Sequence, residues 1–302
     1  MTRPDFFIVG APKCGTTALY QYLRSHPQIF MPFHKEPLYF GQDLNPRYGR
    51  MSEADYLALF ADARPGQRVG EASAWYLYSR TAAAEIKAFA PDARIIVMLR
   101  DPVEVMHAQH SQLLYNCQEV IADFGEALGA EAARRDGQRL PPGPLRVENL
   151  FYRDAAHFAD QIERYLDVFG RDRVHLIVYD DLVSDAQAVY RGVLEFLDVD
   201  VDVPPEFGRV NVNKTARSLL LQRLVYQPPQ PLGRAVSWLR RFPFVHRLRS
   251  AVLAANSRTQ RRPPLDPELR RKLAREFEPE VRRIGELTGR DLHHWSDADA
   301  PS

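Results

Sequence analysis

The chain has 302 residues, a mass of 34.6 kDa and a formal net charge of +1. Hydrophobic residues make up 45% and charged residues 26%, which is ordinary for a globular protein and excludes the disordered and fibrous classes. No apolar run approaches the ~18 residues that a membrane span needs, and the N-terminal run is too short for the core of a signal peptide. We therefore expect a cytoplasmic protein in which Cys14 and Cys117 are free thiols.

The small net charge hides a strongly basic segment. Between Glu206 and Asp266 there is no acidic residue and there are twelve Lys or Arg, so this segment carries +12 and the remainder about −11. Such asymmetry indicates an anionic partner. Within it, 234–255 interleaves aromatic residues with arginines, which is typical of an interfacial helix on anionic lipid but also of a helical lid. Peripheral contact with an anionic membrane is one interpretation; nucleic acid is not expected, because no binding module is present.

The predicted elements alternate between strands and helices. Short apolar runs predict buried strands at Phe6–Val9, Ala93–Leu99 and Val174–Val178. Apolar residues at helical spacing predict helices from Thr16 towards Pro27, from Pro102 towards Tyr115, over Ala155–Val168, over Val189–Leu197 and over Pro267–Thr288 before Gly289. This alternation implies an α/β fold, in which a central parallel sheet carries helices on both faces and ligands bind at the carboxyl ends of the strands.

A glycine-bounded loop joins the first predicted strand to the first helix. It reads GAPKCGTT over 10–17 and offers backbone N–H groups and the positive end of a helix dipole to a phosphate group. Gly10 and Gly15 have the spacing of the P-loop pattern G-x-x-x-x-G-K-[ST]. However, Thr16 follows Gly15, and the lysine of the loop, Lys13, precedes Gly15 by two positions. A nucleotide kinase or NTPase is therefore an alternative, but a less favoured one.

The same loop resembles the 5′-phosphosulfate loop of sulfotransferases that use 3′-phosphoadenosine 5′-phosphosulfate (PAPS), with its P-K-x-G-T-T-x-L core. The resemblance is to the bacterial type of the family, similar to the heparan sulfate and carbohydrate sulfotransferase branch. It implies a P-loop-like sulfotransferase fold and, as donor-binding residues, Lys13, Cys14, Gly15, Thr16 and Thr17. It implies a single domain over 1–302, with a core over 5–218, a basic helical lid or appendage over 219–257, and a cofactor-closing loop and C-terminal helix over 258–295.

Two further segments resemble donor-binding motifs of the family. The run RIIVMLRDPVE is similar to the 3′-phosphate motif, which implies that Arg100 binds that phosphate through its charged planar fork. The Arg and Ser that the family usually has five and eight positions further on are Val105 and Ala108 here. Ser111, one helical turn beyond Ala108, is a candidate replacement. The C-terminal run SRTQRRPP resembles the basic loop that closes over the donor, which implies contacts from Arg258 and Arg262.

Sulfuryl transfer to a hydroxyl group also needs a base to take the hydroxyl proton. The run HKEPLYF over 34–40 resembles the segment that carries this base in glycan-sulfating relatives, which implies Glu36 as the base and Lys13 as the cation that stabilises the leaving phosphate. Glu71 is a second candidate, in a segment similar to G-E-K-S-x-x-Y whose Lys is absent here. His107 and His110 are further candidates. Trp75 and Tyr76 fit either the acceptor site or the core.

The resemblance thus implies a sulfotransferase that moves a sulfuryl group from PAPS to a hydroxyl, or less readily an amine, of a glycan, lipid-linked or small-molecule acceptor. No metal is implied, and the sequence has no paired metal-ligand spacing. Because Val105 and Ala108 depart from the pattern, a non-catalytic binding protein that kept the fold is a third hypothesis. The position of Cys14 at a helix N-terminus predicts a lowered thiol pKa and a loop that is sensitive to oxidation. Asp180 and Asp181 are interpreted as structural caps.

Overall fold

The computed structural model describes residues 2–44, 50–142, 146–205, 214–226, 251–259 and 262–297. The chain divides into two compact units, the first formed by Met1–Met106, Arg153–Asn211 and Asp266–Ser302, the second by His107–Tyr152 and Val212–Leu265. The single domain over 1–302 stays a prediction. The predicted basic stretch 234–250 lies outside the described residues.

The first unit is built on a five-stranded sheet. Its strands are β1 (Phe6–Gly10), β2 (Ile29–Phe30), β3 (Arg68–Ala72), β4 (Arg94–Leu99) and β5 (Val174–Val178). Their spatial order is β2-β3-β1-β4-β5, and every neighbouring pair is parallel. The strands β1 and β4 are almost continuously apolar and buried, because helices cover both faces of a parallel sheet. The predicted α/β fold with a central parallel sheet flanked by helices is confirmed.

Twelve labelled helices are described in these parts of the chain. They are α1 (Thr16–Arg24), α2 (Glu53–Ala58), α3 (Ala82–Phe89), α4 (Pro102–Tyr115), α5 (Phe124–Gly129), α6 (Glu131–Arg135), α7 (Tyr152–Ala156), α8 (Phe158–Phe169), α9 (Tyr179–Ser184), α10 (Ala186–Leu197), α11 (Leu219–Tyr226) and α12 (Pro267–Thr288). Short 3₁₀ turns occupy Val147–Leu150, Arg171–Arg173 and His293–Ser296, and 251–255 are also helical. None of the helices in the described residues is long and apolar enough to span a bilayer.

The boundaries of α12 follow from its sequence. Asp266 is the N-cap, and its carboxylate accepts the N–H of Leu269 at 2.9 Å, with Pro267 in the first turn. The helix ends at Gly289, which has a left-handed φ of 67° and lets the N–H of Arg290 reach the carbonyl of Gly285 at 3.0 Å. The predicted helix over Pro267–Thr288 is confirmed.

The single helix predicted over Ala155–Val168 is wrong, because the chain forms α7 and α8 with a break at His157. Glu280 on α12 supplies the cap at this break. Its carboxylate accepts the backbone N–H of Ala159 at 2.6 Å and lies 3.2 Å from Nδ1 of His157. The cap comes from a residue more than a hundred positions away, so the local pattern of apolar residues could not show it.

The strand β3 was not predicted, because Gly70 and Glu71 interrupt its apolar pattern. The glycine is required by packing against β1. A Cβ at Gly70 would lie 2.1 Å from Cζ of Phe6 and 2.4 Å from Sδ of Met31. The bare backbone of β3 thus makes room for a fully buried aromatic ring from the neighbouring strand.

The second unit contains a small antiparallel pair, β6 (Lys214–Ala216) and β7 (Ser257–Thr259), in which Thr215 lies opposite Arg258. Asn256 joins this pair to α11. Its buried side chain accepts the N–H of Ser218 at 3.0 Å and donates to Oε1 of Gln222 at 2.8 Å. Gln222 in turn donates to the carbonyl of Tyr115 at the end of α4, at 2.9 Å. A buried amide therefore joins the two strands to the helix.

The contact between His157 and Glu280 gives the fold a pH dependence. The hydrogen bond to Glu280 raises the pKa of His157 above its ordinary value. The stabilisation is therefore present below the unfolded pKa of about 6.5 and lost as the pH rises through the folded pKa. Since the imidazole is half exposed, we expect less than about 1 kcal/mol. The Glu280→Gln variant should be less stable than the wild type in urea at about pH 5.5, and the difference should shrink by about pH 9.

A matched control lies on the same helix. Glu276 pairs with Arg153 at 2.6 Å, and an arginine does not titrate in this pH range. The Glu276→Gln variant should therefore lose the same stability at both pH values. An equal loss at both pH values for Glu280→Gln would contradict the assignment to His157.

Candidate active site

The loop between β1 and α1 ends in a helix N-terminus that no side chain caps. Gly15 is the N-cap, with a left-handed φ of 91°, and the first turn of α1 contains no acidic residue. The N–H groups of Ala18 and Leu19 bond back to the carbonyl of Gly15 at 2.9 and 3.2 Å. The earlier N–H groups of a helix have no partner within it, so this end presents donors and a positive dipole to an anion.

Both glycines of the loop are required because neighbouring residues of the protein pack closely against them. A Cβ at Gly10 would lie 2.5 Å from Cβ of Leu77 and 2.9 Å from the carbonyl oxygen of Ala74. A Cβ at Gly15 would lie 2.9 Å from Cδ2 of Leu182, in addition to the strain of a positive φ. The glycine spacing therefore reflects close contact of the loop with the segments that follow β3 and β5.

Lys13 and Arg100 are brought to the same edge of the sheet. The N–H of Ala11 donates to the carbonyl of Met98 at 2.7 Å, which attaches the loop to the carboxyl end of β4. The Cys14 sulfur lies beside the backbone N–H groups of Ala11 and Arg100. Lys13 itself has a left-handed φ of 68°, which costs a non-glycine residue about 1–2 kcal/mol and marks a constrained position.

The predicted lowering of the Cys14 pKa is wrong. The thiol is completely buried, and this burial raises its pKa to about 12 although the charges of Arg100 and Lys13 act in the opposite direction. Desolvation of the thiolate outweighs the helix dipole here. The side chain faces inward and donates to the carbonyl of Pro12 at 3.5 Å, so it anchors the loop from within. A direct contact of its thiol with a donor molecule is not supported; its backbone remains part of the loop.

The Arg100 side chain is held on two sides. It donates to Oε2 of Glu104 at 3.0 Å, and its guanidinium carbon lies 4.7 Å from the centre of the Tyr179 ring. The next residue, Asp101, caps α4 by accepting the N–H of Val103 at 2.8 Å. Asp101 also pairs with Arg270 of α12 at 2.7 Å. The C-terminal helix therefore fixes the turn that follows Arg100.

Val105 and Ala108 are both only 2% exposed, and they pack in the interior. They cannot offer polar groups to a phosphate. Ser111, the candidate replacement, donates its hydroxyl proton to the carbonyl of His107 at 2.9 Å, one turn earlier on α4. In this conformation the hydroxyl supports its own helix rather than an external anion. A role of Ser111 in donor binding stays a prediction.

Glu36 lies beside the carboxyl end of β3. Its N–H donates to the carbonyl of Ala72 at 2.9 Å, and its carboxylate accepts the N–H of Ala74 at 3.0 Å. Lys35 pairs with the same carboxylate. The Glu36 side chain is 34% exposed, so it is both anchored and accessible to an acceptor molecule. These contacts place Glu36 at the same sheet edge as Lys13 and Arg100, since β3, β1 and β4 are neighbouring parallel strands.

Glu71 is fully buried next to this segment. Its carboxylate accepts hydrogen bonds from the hydroxyls of Tyr56 and Tyr76, each at 3.0 Å. Burial raises the pKa of Glu71 to about 7, and the charge of Glu36 acts in the same direction. Tyr76 is fully buried as well, so it belongs to the core and does not line an acceptor site. Trp75 is half-buried, with its ring 5.6 Å from that of Tyr78.

The two candidate histidines lie in the second unit, in a buried aromatic cluster. His107 and His110 are 8% and 3% exposed, and each ring centre lies 5.3 Å from that of Phe124. Burial lowers the pKa of His107 to about 4, and the nearby Arg262 charge acts in the same direction. His110 bonds to the carbonyl of Ile121 at 2.9 Å. These contacts favour a packing role over that of a base.

Other predicted residues are distributed as follows. Arg258 is exposed on β7, and Arg262 is half-buried near His107. Asp181 pairs with Arg290 at 2.6 Å, and Asp180 accepts from Nε1 of Trp295 at 2.7 Å. The two aspartates thus attach the chain's C-terminal turn to α9 and do not act as helix caps. Arg261, in the same basic loop, lies outside the described residues. In the described part of the chain, no cluster of His, Cys, Asp or Glu is arranged to hold a metal ion.

The sequence did not reveal three residues that shape this region: Tyr56, Ser73 and Arg270. Tyr56 lies on the short helix α2, fifteen positions before Glu71, and nothing in the sequence links the two. Ser73 belongs to a quoted motif, but only the structure shows its bond to the backbone N–H of Leu38. Arg270 looks like one of many arginines on an amphipathic helix, and only its burial at 6% exposure sets it apart.

The two cysteines should differ in reactivity. At about pH 8 the Cys14 thiol is protonated and buried, so iodoacetamide should alkylate Cys117 well before Cys14 in the folded protein. Peptide mass spectrometry over time measures both rates, and unfolding in urea should make them equal. Alkylation of Cys14 at or above the rate of Cys117 in the native protein would contradict the burial of this loop residue.

Comparison with known proteins places this geometry in a family. The model of the sulfotransferase family matches residues 4–203. A sulfotransferase structure from Alicyclobacillus acidocaldarius is 29% identical and has a TM-score of 0.73, covering 98% of this chain and 100% of that chain. Human carbohydrate sulfotransferase 15 is 34% identical over 65% of this chain and 44% of its own length.

Human heparan sulfate glucosamine 3-O-sulfotransferase 6 is 26% identical over 70% of this chain and 57% of its own length. The chain therefore spans about half the length of the curated relatives that it matches. The family match covers the whole five-stranded sheet and the loops at its carboxyl edge, including Lys13, Glu36 and Arg100. From this sheet, its loops and these matches, we conclude that the chain belongs to the sulfotransferase family.

Proposed function

We propose that this sulfotransferase uses PAPS as its donor and transfers the sulfuryl group to a hydroxyl of a carbohydrate acceptor. The observation that carries the proposal is the meeting of three elements at one sheet edge. These are the uncapped N-terminus of α1 with Lys13, the Arg100 side chain after β4, and the anchored Glu36 beside β3. The names of the relatives, which refer to carbohydrate and to heparan sulfate glucosamine, support a glycan acceptor.

The residues present fit a donor that carries two separate phosphate groups. The backbone donors at Gly15, Thr16 and Thr17 fit the 5′ end, because an uncapped helix N-terminus favours an anion. Arg100 fits the 3′-phosphate, since its guanidinium is a permanent cation beside the β4 end. With Val105 and Ala108 buried and apolar, Arg100 carries more of this contact than in the family pattern. Ser111, Arg258 and Arg262 are proposed as additional donor contacts.

PAPS supplies an activated sulfuryl group when it is bound. In the transfer, the acceptor oxygen forms a bond to sulfur while the bond from sulfur to the 5′-phosphate oxygen breaks, and that oxygen keeps the electron pair. Glu36 takes the proton of the acceptor hydroxyl. The Lys13 ammonium stabilises the charge that grows on the leaving phosphate. As in phosphoryl transfer, most of the rate enhancement then comes from alignment and electrostatics.

Peripheral membrane contact through 234–255 stays a prediction, because 234–250 lie outside the described residues. The preceding helix α11 exposes Leu220 and Leu224 to 82% and 51%, and the exposed Arg223 lies between them in the sequence. Exposed leucines together with arginine suit an anionic bilayer surface.

Calorimetric titration with adenosine 3′,5′-bisphosphate tests the donor assignment. We expect binding to the wild type, with ATP and ADP at least about tenfold weaker because they lack the 3′-phosphate. The Arg100→Ala and Lys13→Ala variants should each bind about tenfold or more weakly, since each removes a charge-assisted contact worth about 1.5–3 kcal/mol. Lys272→Ala, which removes an exposed lysine from α12, is the control and should bind like the wild type.

Two outcomes would contradict the proposal. Tighter binding of ATP than of the bisphosphate would favour a nucleotide kinase or NTPase over a sulfotransferase that uses PAPS. Binding of neither nucleotide would support the non-catalytic hypothesis, in which the loss of polar residues at Val105 and Ala108 has abolished donor binding.

A further inference from the structure

The segment that carries Glu36 adopts an unusual backbone conformation. Glu36 and Leu38 have φ values of 63° and 53°, in the left-handed region that residues with a side chain seldom adopt. Such a conformation is strained for a residue with a side chain, so the surrounding contacts must hold the segment in place. The contacts that do so identify what positions the proposed base.

Two buried hydroxyls bind the backbone of this segment. Oγ of Ser73 accepts the N–H of Leu38 at 3.2 Å. The Tyr76 hydroxyl accepts the N–H groups of Tyr39 and Phe40 at 2.9 and 3.2 Å. Three consecutive backbone donors of residues 38–40 are therefore held by only two side chains.

The Tyr76 hydroxyl is oriented by the Glu71 carboxylate. A hydroxyl oxygen has two lone pairs and a single proton, so a hydroxyl that accepts from the backbone must send its proton elsewhere. Tyr76 donates to Oε2 of Glu71 at 3.0 Å. If that acceptor were removed, the Tyr76 hydroxyl would turn its proton to another acceptor and would release the backbone N–H groups of Tyr39 and Phe40.

Tyr56 provides an internal comparison. Its hydroxyl also donates to Oε2 of Glu71 at 3.0 Å, but none of the described hydrogen bonds joins it to the backbone of residues 36–40. Its ring stacks on that of Tyr39 at 4.2 Å, a contact that phenylalanine would keep. Tyr56 and Tyr76 therefore make the same bond to Glu71 and differ in whether they hold the segment.

We propose that Glu71 is a positioning residue that orients the Tyr76 hydroxyl so that residues 36–40 present Glu36 to the acceptor, and that Glu71 is not itself the base. The inference rests on the proposed function of Glu36. Glu71 has no exposed surface, whereas the Glu36 carboxylate is one-third exposed. A base must reach the acceptor hydroxyl. Glu36 therefore takes the proton, and Glu71 holds the segment that carries Glu36.

Steady-state kinetics on matched variants test this role. Tyr76→Phe should lower kcat about tenfold or more, because a small displacement of a catalytic group costs on the order of that factor. Tyr56→Phe should change kcat by less than about threefold. Adenosine 3′,5′-bisphosphate affinity should stay unchanged in both variants, since none of the described hydrogen bonds of the two hydroxyls reaches the loop over 10–17. Thermal unfolding of each variant shows whether a fall in kcat comes with a general loss of stability.

Variants of the carboxylates separate positioning from proton transfer. Glu71→Gln keeps an acceptor oxygen for the hydroxyls and should retain kcat within about threefold, whereas Glu71→Leu should match or exceed the loss in Tyr76→Phe. Glu36→Gln removes the base and should lower kcat on the order of 10²–10⁴-fold. If Glu71→Leu does not fold, Glu71→Gln and the two tyrosine variants decide the question.

The outcomes that overturn the proposal are distinct. A loss in Glu71→Gln as large as that in Glu36→Gln would make Glu71 the proton acceptor. Equal losses of kcat in Tyr76→Phe and Tyr56→Phe would show that the hydrogen bonds from the backbone of residues 39 and 40 to Tyr76 do not affect catalysis. Full activity of Glu36→Gln, with bisphosphate binding intact, would instead remove Glu36 from the proposed function and leave the donor assignment standing.

Discussion

The attachment of the loop after β1 to the carboxyl end of β4 is the constraint on which the site depends. One backbone hydrogen bond, from Ala11 to Met98, and one buried thiol, that of Cys14, join the two. Because Arg100 follows directly in the chain, this attachment sets two cations beside the uncapped helix N-terminus. The Cys14 thiol faces inward and is fully buried, which is why we expect it to be unreactive although it stands at a helix N-terminus.

The support of the site comes from elements distant in the chain. Arg270 on the C-terminal helix fixes Asp101 and thereby the turn after Arg100. Glu71 on β3 accepts the proton of the Tyr76 hydroxyl, which in turn holds the backbone of the segment that carries Glu36. In both cases a buried ionisable side chain acts on the site through a hydrogen-bonded neighbour. Buried charge is costly unless it is paired, so these residues are held to particular identities by their partners as much as by any substrate.

The strands β1, β4 and β5 and the helix α12 could be predicted because local patterns determine them: continuous apolar runs, an Asp-Pro start and a glycine stop. The strand β3 could not, since Gly70 is required by the ring of Phe6 from another strand. The break at His157 depends on Glu280 in the same way. Within the site, motif resemblance pointed to Lys13, Arg100 and Glu36, but the pKa of Cys14 depends on burial, which spacing along the sequence does not encode.

A crystal structure of the protein with adenosine 3′,5′-bisphosphate is the most direct test of the claim that one sheet edge forms the donor site. We expect the 5′-phosphate within about 2.7–3.2 Å of the backbone nitrogens of Gly15, Thr16 and Thr17 and of Nζ of Lys13. We expect the 3′-phosphate on the Arg100 guanidinium, with the Glu36 carboxylate facing the space beside the 5′-phosphate. A nucleotide bound elsewhere, or bound here with its 5′-phosphate away from the loop, would contradict it.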